Sequence, residues 1–123
     1  MAEKSSILVV DDEEALRTVL SSELENEGYT IASAGDGDDA INILRDRTFD
    51  LVLLDIKMPR VDGFEVLRFI KERFPTTKVI MLTGFADLKN AIESKKLGAE
   101  DFVSKPYDLV DLLTTIERVL SGE

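Results

Sequence analysis

The chain has 123 residues, 44% hydrophobic and 33% charged, which suits one soluble core and is too short for two. It has no cysteine and no histidine, so disulfides, thiolate or imidazole metal sites and Ser/His or Cys/His nucleophilic pairs are excluded, leaving carboxylates, hydroxyls and lysine as its chemistry. The net charge of −10 disfavours direct nucleic acid or membrane binding, and no apolar run approaches the roughly 20 residues of a bilayer span, so a cytoplasmic single domain over residues 1–123, with its core at about 6–121, is expected.

Short runs of Val, Ile and Leu alternate five times with stretches of helical periodicity. Residues 7–10 are apolar on both sides, as in a parallel strand covered by helices on both faces. A helix follows with Leu16, Val19, Leu20 and Leu24 on one stripe, and Gly28 stops it. Residues 29–34 read as the second strand, and after Gly35, Asp36 and Gly37 a short helix carries Ala40, Ile41 and Leu44. Residues 51–54 are the third strand. The next helix starts after Asp62, with Glu65 in capping-box spacing, buries Val66, Leu67 and Ile70, and closes at Pro75. Residues 79–82 form the fourth strand, and a helix over about 87–97 places Lys95 and Lys96 at its negative end before Gly98. Residues 101–104 read as a fifth strand. The last helix, after Pro106, shows the clearest stripe, Leu109, Leu112, Leu113, Ile116, Val119 and Leu120.

This alternation implies an α/β fold with a parallel sheet and right-handed crossovers. In open sheets of this kind ligands bind outside the carboxyl ends of the strands, where the winding reverses. Asp11 and Asp12 follow strand one, Asp55 strand three, Thr83 and Gly84 strand four, and Lys105 and Pro106 strand five. Three carboxylates gathered at one edge repel one another unless a cation joins them or some stay protonated. With only oxygen ligands available Mg²⁺ is the natural cation, held by carboxylates, waters and a phosphate oxygen. Singly, each residue has a structural explanation, as a helix start, a strand end, a local turn or a solvated charge. Their coincidence at one edge is what points to chemistry.

The set Val9, Val10, Asp11 and Asp12, then Asp55 to Pro59, Asp62 with Gly63, Thr83 with Gly84, and Lys105 with Pro106 resembles the response-regulator receiver domains of two-component signalling, over essentially the whole chain. The resemblance implies a flavodoxin-like doubly wound (βα)5 fold with strand order 2-1-3-4-5. It implies Asp55 as phosphoacceptor, Asp12 as a direct ligand of Mg²⁺ (or Mn²⁺), Asp11 acting largely through a metal-bound water, and the Lys57 carbonyl as a further ligand. Thr83, Lys105 and the Gly84 N–H would hold phosphoryl oxygens, and the Lys105–Pro106 bond would be cis. The implied partners are a sensor histidine kinase or phosphotransfer protein, a downstream output domain or target protein, and a phosphorylation-dependent second copy of the chain. The implied activity is confined to the domain's own phosphorylation and dephosphorylation.

Phe102 stands where the family most often has a Tyr switch residue, and its ring is expected to turn into space that Thr83 vacates. Lys57 and Phe85, two residues after Asp55 and Thr83, occupy positions that tune phosphoaspartate lifetime in the family, and a bulky Phe85 is expected to slow hydrolysis. An aspartyl-nucleophile phosphohydrolase of the haloacid-dehalogenase kind needs an acid where Lys57 stands. A flavodoxin-like cofactor binder needs a phosphate-cradling loop where Asp11 and Asp12 stand. A degenerate receiver that only docks proteins differs in failing to accept a phosphoryl group.

Overall fold

Strands that are apolar on both sides require helices on both faces, and the computed structural model, which describes residues 5–84 and 88–122, has that arrangement. The elements are β1 (Ser6–Val10), α1 (Glu14–Asn26), β2 (Thr30–Ala34), α2 (Gly37–Asp46), β3 (Leu51–Asp55), α3 (Gly63–Arg73), β4 (Lys78–Thr83), α4 (Leu88–Lys96), β5 (Asp101–Ser104) and α5 (Leu109–Ser121). All strand pairings are parallel, and the order is β2-β1-β3-β4-β5. The winding reverses beside β1, which puts the switch point between β1 and β3.

Alternation along the central strands builds two cores. On one face Leu8, Val52, Leu54 and Met81 meet α2 and α3 through Leu44, Val66, Leu67 and Ile70. On the other, Val9, Leu53 and Leu82 meet Leu20 and Leu24 of α1 and Leu112 and Ile116 of α5. Each fully buried aliphatic side chain contributes about 1.5–3 kcal/mol, so the central sheet is the rigid platform on which its edge residues stand.

Helix starts follow local polar chemistry. Asp36 caps α2 by accepting from Asp39 N–H at 2.8 Å, and Asp62 caps α3 by accepting from Glu65 N–H at 3.0 Å. At the end of α1, Gly28 takes the left-handed conformation that its position requires, with φ of 99°. The expected stripe of α1 needs one correction: Val19 is 59% exposed. Leu20 and Leu24 already fill the space over the sheet, and Val19 is turned out beyond the edge of that stripe. The fourth helix is described from Leu88, so the expected start at Asp87 lies outside the described residues. Among the described residues no helix is long and apolar enough to cross a membrane.

Candidate functional site

The strand ends bring the expected residues to one edge. Asp11 and Asp12 follow β1, Asp55 and Thr83 are the last residues of β3 and β4, and Gly84 and Lys105 stand just beyond β4 and β5. One carboxylate oxygen from each of Asp11, Asp12 and Asp55 lies within 4.8 Å of the others, with Asp11 and Asp55 buried and Asp12 exposed. Lys105 Nζ is 2.7 Å from Asp11 Oδ2 and 3.7 Å from Asp55 Oδ2, so a single ammonium spans the two buried acids. Asp11 Oδ1 also accepts from Glu13 N–H at 2.9 Å. Both Asp11 oxygens are therefore already engaged, which leaves Asp12 and Asp55 with more freedom to take a ligand directly.

Electrostatics set Asp55 apart. Burial pushes its carboxyl up to about 6; Lys105 opposes that, while the charges of Asp11 and Asp12 and a hydrogen bond with Asp12 reinforce it. Burial acts to lower the Lys105 pKa, but the hydrogen bond to Asp11 and the charges of Asp55, Asp11 and Glu13 outweigh it, and the net shift is upward. A carboxylate held against its neighbours gains most from an added cation. The all-oxygen donor set at this spacing fits a hard divalent ion such as Mg²⁺.

Two clefts flank the cluster. One, of about 370 Å³, is lined by Asp12, Lys57, Met58, Asp62 and Phe64. The other, of about 330 Å³, is lined by Glu13, Leu16, Gly84, Lys105 and Tyr107. Gly84 is exposed, and a Cβ there would meet nothing within 4 Å, so its backbone borders open space. Thr83 is buried opposite Ser104, and its carbonyl accepts from Lys105 N–H at 2.5 Å. Phe102 pairs with Met81 in the register, on the same sheet face as Thr83, and is half-buried. Lys57 is exposed in the loop after Asp55, and Phe85 lies outside the described residues. The Lys105–Pro106 bond is cis.

Three neighbours of the site were not singled out from the sequence. Glu13 bonds Asp11 through its backbone, Arg17 Nη1 donates to the Asp11 carbonyl at 2.6 Å, and Tyr107 lines the second cleft. The Tyr107 hydroxyl is buried with no partner among the described residues, and burial together with the charges of Asp11 and Glu13 pushes its pKa up to about 12. An aromatic hydroxyl two residues after Lys105 was a readable signal; nothing marked Arg17 among the exposed charges of α1.

Fold and site together define a doubly wound α/β protein whose carboxyl edge carries an acidic, lysine-bridged cluster suited to a hard cation. The response regulator receiver domain matches residues 7–117. The transcriptional regulatory protein ZraR of Salmonella typhimurium is 39% identical over 118 residues, covering 96% of this chain and 27% of that protein. The DNA-binding transcriptional regulator NtrC of Proteus hauseri is 35% identical over 119 residues, covering 97% of this chain and 25% of that protein. Among solved structures, the receiver domain of NtrX from Brucella abortus superposes with a TM-score of 0.89 at 36% identity, covering 95% of this chain and 99% of that one. The CheY-like receiver from Methanospirillum hungatei gives 0.92 at 35% identity, covering 98% and 96%.

The chain belongs to the response-regulator receiver domains of two-component signalling. It spans about a quarter of the length of these two curated relatives.

Proposed function

We propose that this domain accepts a phosphoryl group on Asp55 in a Mg²⁺-dependent reaction and thereby changes the surface formed by α4, β5 and α5. The observation that carries the reading is the buried Asp55 carboxylate, at the carboxyl edge of β3, set between two further carboxylates and the Lys105 ammonium. Asp11, Asp12, Asp55 and the Lys57 carbonyl would hold the ion, which supplies charge compensation for the phosphoryl oxygens when bound. An Asp55 oxygen attacks phosphorus as the P–O bond of an acyl phosphate, or the P–N bond of a phosphohistidine, breaks. The electron pair leaves with acetate or with the imidazole, which takes up a proton. Thr83, Lys105 and the Gly84 N–H serve the phosphoryl oxygens, and little covalent work is left for the protein.

On this reading the domain turns over no separate substrate, and its partners are a histidine kinase or phosphotransfer protein and whatever reads the altered face. Regulators such as ZraR and NtrC support a downstream output domain or target. A phosphorylation-dependent homodimer and a cytoplasmic setting belong to the same proposal. Phe102 shares a sheet face with Thr83, which supports the ring as the switch element: movement of Thr83 toward the phosphoryl group opens space for it. Phe102→Ala should then abolish the phosphorylation-dependent gain in partner affinity, and an intact gain would remove the switch from the proposal.

The deciding experiment is incubation with acetyl phosphate and Mg²⁺. The wild type should gain one hydroxylamine-labile phosphoryl group, read by intact mass, and Asp55→Ala should gain none. A wild type that stays unmodified would favour a receiver that only docks proteins.

A further inference from the structure

The loop 56–62 carries the Lys57 carbonyl, and this chain holds that loop by an unusual contact. Arg60 is the one described residue other than glycine with a positive φ, 66°. β-Carbon sterics disfavour that conformation in an arginine, and it persists only where surrounding contacts over-determine it. Those contacts come from the start of α2, its cap Asp36 and its second residue Asp38. Arg60 Nη2 donates to Asp36 Oδ2 at 3.0 Å and Arg60 Nε to Asp38 Oδ2 at 3.1 Å. Asp36 is itself fixed, because its other carboxylate oxygen caps α2 through Asp39 N–H.

Two glycines close the same joint. A Cβ at Gly37, the first residue of α2, would lie 2.4 Å from the Val61 carbonyl oxygen, so residue 61 rests directly on the helix start. At the loop's far end Gly63 N–H donates to the Ile56 carbonyl at 2.8 Å, and a Cβ at Gly63 would lie 2.3 Å from the Asp55 carbonyl oxygen. The loop is thus pinned at Ile56, at Val61 and at Arg60, with Lys57 and Met58 spanning the interval and lining the cleft beside Asp12.

We infer that Arg60 is a positioning residue for the metal site: its fork to Asp36 and Asp38 at the start of α2 holds the loop in the form that presents the Lys57 carbonyl. The inference rests on the Mg²⁺ reading above. A competing account is that Arg60 merely neutralises the acidic start of α2. The two accounts predict opposite signs. Removing a positive charge near a cation site strengthens cation binding through the field, whereas loosening the loop weakens it.

The test is Mg²⁺ titration of the unphosphorylated protein by calorimetry, with amide resonances of Lys57 and Met58 followed in parallel. Arg60→Ala should bind Mg²⁺ roughly ten-fold more weakly. Arg60→Lys keeps the charge but loses the planar fork, and should also bind more weakly, by a smaller factor. In both variants the Lys57 and Met58 resonances should shift in the metal-free protein while those of β1 stay in place. Unchanged or tighter Mg²⁺ binding in Arg60→Ala would overturn the inference while leaving the Asp55 proposal intact. A wild type that binds no Mg²⁺ would overturn both.

Discussion

Two aspartates bracket the central strand β3, and they live in opposite circumstances. Asp50, just before it, is stitched into the amino edge of the sheet: its Oδ2 accepts from Ser6 N–H at 2.9 Å and from Ser6 Oγ at 3.3 Å, and its carbonyl accepts from Lys78 N–H. Asp55, at the other end, is 5% exposed, faces two more carboxylates and relies on an ammonium 3.7 Å away. One residue type at two ends of one strand thus either ties strands together or stores electrostatic tension. The difference lies in donors. At the amino edge backbone N–H groups answer the charge, whereas at the carboxyl edge three carboxylates face the Lys105 ammonium.

The largest expected break of that comparison is at lysine. Lys105→Met should slow phosphorylation by acetyl phosphate on the order of 100-fold, measured by intact-mass time courses. Lys71→Met lies on the amino side, where Lys71 Nζ bonds the Thr77 carbonyl and Glu100. It should lower urea stability by about 1–2 kcal/mol and leave the phosphorylation rate within about two-fold. Equal rate losses in the two variants would erase the distinction between the edges.

Next is charge at Asp55 itself. Its folded pKa of about 6 lies above the ordinary 3.8, so the folded state prefers the protonated form. The penalty is absent below pH 3.8, grows as pH rises through 6, and is full above it. In chelator, Asp55→Asn should therefore be more stable than wild type by up to about 3 kcal/mol at pH 8, with the gain vanishing toward pH 4, as urea midpoints would report. Asp50→Asn should lose stability, by about 0.5–1 kcal/mol. A gain at Asp55 that does not depend on pH would contradict the electrostatic account.

Metal addition sharpens the same contrast. At a Mg²⁺ concentration ten-fold above Kd the wild type should gain about 1.4 kcal/mol in unfolding free energy, and Asp12→Asn should lose most of that gain while Asp50→Asn keeps it. The smallest effect belongs to Tyr107. Tyr107→Phe removes a buried hydroxyl that has no partner among the described residues and should be neutral or stabilising by about 0.5–1 kcal/mol in thermal unfolding.

The winding and the edge were legible in the sequence because both rest on short-range signals. Apolar runs broken by Asp11, Asp55 and Thr83 mark strand ends, and in parallel sheets those ends meet. Asp62 as a cap was readable from its spacing to Glu65. Val19 was misplaced because helical periodicity gives the direction of a stripe and not the width of the surface it covers. Arg17 and Arg60 were invisible for another reason: each acts through a tertiary partner, the Asp11 carbonyl or the acids at the start of α2, and an arginine carries no local mark of that.

The contact at Gly63 has a mechanical consequence. Because α3 begins against the Asp55 carbonyl with no side chain between them, and Gly63 N–H is tied back to Ile56, β3 and α3 are held tightly together at this end. Strain introduced at Asp55 has no slack to take up on that side. If Asp55 is phosphorylated as proposed, the adjustment is expected on the other side of β3, toward β4 and the half-buried edge strand β5.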